Sequence, residues 1–140
     1  MTLLLDTGAV VAYYLADDRW HVAMRAEIDA ERGPLVLPAA VIPEVDHLLG
    51  ARAGAAARHA LYSDVVDGVY LVADLEAERY ARVRDLNLRF ADLNLGFVDA
   101  AVAALSEQLR VRRLATTDRR HFSAIAGEVP LELVPPMAPS

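Results

Sequence analysis

Neither cysteine nor lysine occurs among the 140 residues. The first absence rules out disulfides, thiolate catalysis and Cys-ligated metals, and nothing points to an oxidising compartment. The second removes a P-loop, whose phosphate grip needs Gly-Lys, and any Schiff-base chemistry. All 14 basic residues are therefore arginine, a side chain whose fork suits phosphate oxygens, although a genomic preference for arginine explains the bias equally well. Aromatics make up only 6% against 55% hydrophobic residues, so the core must be packed from Leu, Val and Ala. The net charge of −6 argues against wholesale coating of nucleic acid. No apolar run approaches the roughly 20 residues that span a bilayer; the longest runs from Ala9 to Ala16. The N-terminus has no basic stretch and Asp6 interrupts its first apolar run, so no signal peptide is expected. These features predict a soluble, cytoplasmic protein without membrane contact. Its length is that of one ordinary domain.

What the chain does have begins with Leu3-Leu4-Leu5-Asp6-Thr7-Gly8. A short, non-alternating apolar run fits a strand buried on both faces of a parallel sheet. Asp6 then lies at the carboxyl end of that strand, the edge where ligands collect in open α/β sheets; it serves equally as a cap for the next helix. Helices are expected over 8–16 and 20–31, with Asp17-Asp18-Arg19 as the polar break. Gly33-Pro34 turns into a second strand, Leu35-Val36-Leu37. Pro38 opens a helix, and Pro43 requires either that this helix start near it or that its first turn be loosened. A break is expected over Gly50 to Gly54, then a helix over 55–66, a turn at Asp67-Gly68 and a third strand over 69–72. Asp74 is expected to cap a helix reaching Arg89, residues 91–96 to form a loop, and 97–109 a strongly apolar helix. A fourth strand follows over 114–116 and a last one over 131–134. Strands alternating with helices, without repeats, predict an α/β fold: a single α/β/α sandwich with a mainly parallel sheet over residues 1–134, ahead of a flexible tail, 135–140.

Four carboxylates fall at comparable places in this plan. Asp6 ends the first strand, Glu44 lies early in the helix after the second, Asp99 lies near the start of the apolar helix, and Asp118 follows the fourth strand. Asp6, Glu44 and Asp99 have apolar sequence neighbours, and buried carboxylates must be paired, protonated or bound to a cation. Gathered at one edge they would repel and raise one another's pKa values, a conflict that a divalent metal resolves. Oxygen ligands without His or Cys select Mg²⁺ or Mn²⁺, and the reaction such an ion suits best is phosphodiester hydrolysis. Separate helix caps and surface acids would account for the same residues.

Asp6-Thr7-Gly8, Pro43-Glu44-Val45, Leu95-Gly96-Phe97-Val98-Asp99-Ala100 and Thr116-Thr117-Asp118-Arg119-Arg120-His121-Phe122 resemble the signature segments of PIN-domain ribonucleases, above all the VapC toxins of toxin–antitoxin pairs. The resemblance covers nearly the whole chain in order, and its last two segments are the most specific. It implies a Mg²⁺- or Mn²⁺-dependent RNA endonuclease with Asp6, Glu44, Asp99 and Asp118 as the acidic, metal-binding site. It further implies a homodimer and inhibition by a VapB-type antitoxin. The implied mechanism is in-line attack of metal-activated water, leaving 5′-phosphate and 3′-hydroxyl ends. Asp92 matches an additional acid of many members and reads equally as a loop acid. Thr116 and Thr117 either orient Asp118, touch phosphate, or simply reflect β-propensity at a strand end; Thr7 accompanies Asp6. Arg119 and Arg120, with Arg52 and Arg89 as further candidates, would hold RNA phosphates or else pair with surface acids. His121 is expected to pack with Phe122 at the start of a terminal helix, and His21, His47 and His59 to be structural.

Gly8 departs from the serine usual in that family after Asp-Thr, which keeps open a second reading: a catalytically weakened domain that binds antitoxin or RNA. Other α/β chemistries fit worse. A dehalogenase-type phosphatase wants a second Asp at position 8 and a lysine, a response-regulator receiver needs lysine, no serine lies in Gly-x-Ser-x-Gly, and the dinucleotide glycine fingerprint is missing.

Overall fold

The computed structural model describes residues 1–140. Five short strands, β1 (Leu3–Leu5), β2 (Leu35–Pro38), β3 (Leu71–Ala73), β4 (Arg113–Ala115) and β5 (Glu132–Val134), form one sheet in the order β3-β2-β1-β4-β5. Every pairing is parallel, with Leu4 opposite Val36 on one side and Leu114 on the other. The predicted α/β/α sandwich is therefore present, with an entirely parallel sheet. β1 is central, and Leu3, Leu4 and Leu5 are wholly buried; an apolar run without alternation is what such a strand requires.

Seven α-helices surround the sheet: α1 (Thr7–Tyr14), α2 (His21–Ala30), α3 (Ile42–Ala53), α4 (Ala55–Val66), α5 (Tyr80–Arg89), α6 (Gly96–Leu109) and α7 (Arg119–Ile125). None is long and apolar enough to cross a membrane. The apolar α6 lines the core with Ala100 to Leu105, all buried. One cluster of 33 buried hydrophobic residues joins the elements.

Several boundaries differ from expectation for local reasons. Pro38 ends β2 instead of opening a helix; a 3₁₀ turn, Ala39–Val41, intervenes and α3 starts at Ile42. Pro43 thus falls in the first turn of α3, where a missing N–H costs little. Gly50 does not break α3: the Arg58 guanidinium packs where its side chain would be. Only Gly54, at φ 81°, interrupts the chain between α3 and α4. Asp74 caps no helix. Its Oδ1 accepts from the Leu75 amide at 2.8 Å, and the chain passes through a 3₁₀ turn, Ala77–Arg79, before α5. Residues 91–93 form a further 3₁₀ turn within the expected loop. Beyond β5, the carbonyls of Pro135 and Pro139 accept from the guanidiniums of Arg119 and Arg19.

From β1 the chain moves to β2 and β3 on one side of the sheet, and later to β4 and β5 on the other. The order therefore reverses between β1 and β4, and in open parallel α/β sheets the crevice that takes ligands lies outside the carboxyl ends of the strands at such a switch point. Asp6 follows β1 there, and Thr116 follows β4.

Candidate active site

Only four polar or charged residues are buried as a whole, and three of them, Asp6, Thr7 and Thr116, lie at this switch point. The fourth, Ser106, is satisfied locally by the Ala103 carbonyl at 2.8 Å. Thr116 Oγ1 donates to Asp6 Oδ2 at 2.8 Å and accepts from the Asp118 amide at 3.0 Å. One hydroxyl thereby ties the end of β1 to the start of α7. Asp6 Oδ1 and Thr7 Oγ1 are buried without any partner, an arrangement that proteins avoid unless a ligand completes it.

Asp99 stands in the first turn of α6 and Asp118 is the N-cap of α7, where its Oδ1 accepts from the His121 amide at 3.0 Å. His121 Nδ1 lies 2.7 Å from Asp99 Oδ2 and 3.0 Å from Asp118 Oδ2. Ligand atoms of Asp99, Asp118 and His121 all fall within 4.8 Å of one another, close enough to share one cation.

The electrostatics agree with the geometry. Burial, followed by the charge of Asp99, pushes the Asp6 carboxyl up to about 7 against the pull of the Thr116 hydrogen bond. Burial and the Asp118 carboxylate raise Asp99, opposed by the hydrogen bond to His121. Burial pulls His121 down, but the Asp99 hydrogen bond and the Asp118 and Asp99 charges outweigh it, so its pKa is raised. Crowded acids whose pKa values are raised, beside an unpartnered buried oxygen, are the signature of a place that lacks positive charge. The donors fit a divalent cation: Asp6, Asp99 and Asp118 supply hard oxygens.

Sequence reading and structure part company at two residues. Glu44 lies in the first turn of α3 but is exposed and makes no hydrogen bond or ion pair, so the argument from buried charge does not extend to it. His121 does not merely pack beside Phe122; its imidazole enters the acidic cluster, and the ligand-type groups there include a nitrogen after all. The legible signal was the spacing of Asp118 and His121, three residues apart across a helix start, which puts both on one face.

The remaining candidates sit as follows. Asp92, in the 3₁₀ turn before α6, is exposed. Arg52 pairs with Asp18 at 3.0 Å and Asp17 at 3.6 Å, and Arg89 with Glu128 at 3.2 Å. Arg119 lies over the Trp20 ring, 5.4 Å from its centroid, and donates to the Pro135 carbonyl, while its Nε has no partner. Arg120 is exposed and unpaired.

The family model of the PIN domain matches residues 3–128. The chain belongs to the PIN-domain family. A relative of this PIN domain, Ribonuclease VapC26 of Mycobacterium tuberculosis, is 32% identical over 123 residues, spanning 88% of this chain and 91% of that protein. The fold is also that of Mycobacterium tuberculosis VapC20, a toxin described as cleaving the sarcin-ricin loop, at TM-score 0.79 and 20% identity over 87% of this chain and 94% of that one. Two complexes share it at TM-score 0.65. These are VapBC2 of Rickettsia felis bound to a promoter DNA fragment, 15% identical over 95% and 97% of the two chains, and FitAcB of Neisseria gonorrhoeae, 18% identical over 96% and 97%.

Proposed function

We propose that this PIN domain is a metal-dependent endoribonuclease, the toxin of a toxin–antitoxin pair. The observation that carries this reading is the buried, unpartnered Oδ1 of Asp6, a carboxyl that feels the charges of Asp99 and Asp118. Asp6, Asp99 and Asp118 would hold Mg²⁺ or Mn²⁺, and Glu44, exposed on the first turn of α3, would contribute only through water. A cation bound there supplies Lewis acidity toward water and the phosphodiester, which suits hydrolysis to 5′-phosphate and 3′-hydroxyl ends.

The chain's own residues have separable tasks. Thr116 keeps one oxygen of Asp6 occupied and leaves the other without a partner. Asp118, anchored by its amide on Thr116 and its carboxylate on His121, is held at a fixed distance from Asp6. His121, which both carboxylates make easier to protonate, links Asp99 to Asp118. Arg120, free at the start of α7, is the guanidinium best placed to take an RNA phosphate, and Arg119 stands next to it. Arg52 and Arg89 could join only by giving up their carboxylate partners. Asp92 is an outlying acid at the approach to α6. Kinship with VapC26 and the fold shared with VapBC2 support a VapB-type antitoxin as partner, and a homodimer as the working form belongs to the same proposal.

The test is cleavage of total cellular RNA by purified protein with Mg²⁺, Mn²⁺ or EDTA, beside Asp6→Asn and Asp99→Asn. Discrete fragments that require metal and vanish in both variants are expected, with 5′-phosphates at the new ends. A folded wild type that binds metal but leaves every RNA class intact would overturn the reading.

A further inference from the structure

Gly8 is the second residue of α1 and has helical backbone, a position where glycine is less favourable than alanine. Nothing about its conformation calls for glycine. The space around it does: a Cβ built there would lie 2.0 Å from Thr117 Oγ1, 3.1 Å from Thr117 Cβ and 3.3 Å from Thr117 Cγ2. Two substituents of the Thr117 Cβ crowd the same spot, so a simple rotation exchanges one clash for another. Even with the Cβ hydrogen turned inward, the two carbons would remain too close. A side chain at position 8 therefore requires the Thr117 hydroxyl to leave its place and residue 117 as a whole to give by a few tenths of an ångström.

That residue is the link between Thr116, whose hydroxyl holds Asp6, and Asp118, whose amide rests on the same hydroxyl. Asp6 in turn lies two residues before Gly8. The Gly8–Thr117 contact is thus the point at which the first turn of α1 bears on the segment carrying half of the acidic site. We infer that Gly8 and Thr117 are a matched pair: the absent side chain at 8 seats the Thr117 side chain, and Thr117 is a positioning residue that sets the separation of Asp6 and Asp118. The glycine is then an accommodation to Thr117, and no mark of a decayed site. The inference rests on the nuclease reading for its activity readout, but its geometric content is independent of it.

The experiment is a double-mutant series in the full chain: Gly8→Ala, Gly8→Ser, Thr117→Ala, Thr117→Ser and the combination of Gly8→Ala with Thr117→Gly. Each is assayed for RNA cleavage as kcat and KM separately, and for the thermal shift that Mn²⁺ produces, which needs no activity. Gly8→Ala and Gly8→Ser should lower kcat at least tenfold and require more Mn²⁺ for half of the maximal thermal shift. Thr117→Ala should lower kcat severalfold, and Thr117→Ser, which keeps the hydroxyl, should stay near wild type. The double variant should recover to within about threefold of wild type in both readouts. Gly8→Ser equal to or better than wild type, or a double variant as impaired as the single ones, overturns the pairing. A wild type that shifts with Mn²⁺ but cuts no RNA rejects the nuclease reading alone, and the thermal series still decides the pairing.

Discussion

Asp99 and His121 meet across the starts of two helices, α6 and α7, with Nδ1 2.7 Å from Oδ2. The same ring nitrogen lies 3.0 Å from Asp118. In the absence of a cation this imidazole, once protonated, sets a positive charge between two carboxylates that would otherwise repel. His121→Ala should therefore destabilise the metal-free protein by about 1–3 kcal/mol, as expected for an uncompensated charged partner. It should also enlarge the stabilisation gained from Mn²⁺, because the ion then replaces a missing charge. Thermal melts with and without Mn²⁺ check both; an unchanged melt in EDTA would show that the contact contributes nothing.

The raised acids give the metal-free protein a definite pH dependence. Asp6 titrates near 4 when unfolded and at about 7 in the fold. Between these values the native state holds a proton that the unfolded chain has released, so stability falls as pH rises through the window. His121 is also raised. Its contribution is complete below about 6.5 and is lost as pH climbs through its folded value. Both groups act in the same direction. Urea denaturation in EDTA should show a protein weaker at pH 8 than at pH 5 by on the order of a few kcal/mol, and saturating Mn²⁺ should remove most of the difference. A stability that rises across this range without metal contradicts the assignment.

Thr116→Val keeps the shape of the side chain and removes its hydroxyl. Asp6 loses the hydrogen bond that holds its pKa down, and the Asp118 amide loses its acceptor. The acidic limb of the pH–rate profile should move to higher pH, and kcat should fall about 10- to 100-fold, the scale typical of an outer-shell partner of a metal ligand. The protein should lose about 1–3 kcal/mol of stability. A normal kcat with the limb unmoved would mean that Thr116 only fills space.

Away from the crevice, the Tyr14 hydroxyl donates to Asp64 at 2.6 Å and lies 2.6 Å from the Tyr70 hydroxyl, tying α1 to α4 and to the approach to β3. Tyr14→Phe should cost about 1–2 kcal/mol, since a partly buried carboxylate loses its donor, and should leave RNA cleavage unchanged. Parallel urea melts and cleavage rates check this. A fall in activity without a fall in stability would give Tyr14 a role in the reaction.

The parallel sheet was legible because its cause is local. Leu3-Leu4-Leu5 cannot lie at a water-facing edge, and strands alternating with helices leave few ways to close the chain. Asp6 at the end of that strand, Asp99 in the first turn of an apolar helix and Asp118 after β4 were readable for the same reason, since each position follows from its own element. Helix boundaries at Pro38, Gly50 and Asp74 were not, because each depended on a distant or adjacent neighbour. Gly50 stays helical beneath Arg58, and the chain around Asp74 and Pro38 tightens into 3₁₀ turns.

The sequence by itself determined which acids end which elements and that the elements form one parallel α/β layer. The tertiary structure alone decided that Asp6 lies buried with a free oxygen while Glu44 stays in water, that His121 joins the acids, and that Gly8 is shaped by Thr117. The physical reason is range. Element type and order come from side chains within a few residues of one another, whereas the Thr116–Asp6 bond joins positions 110 residues apart, and no local pattern encodes which buried oxygen will find its partner.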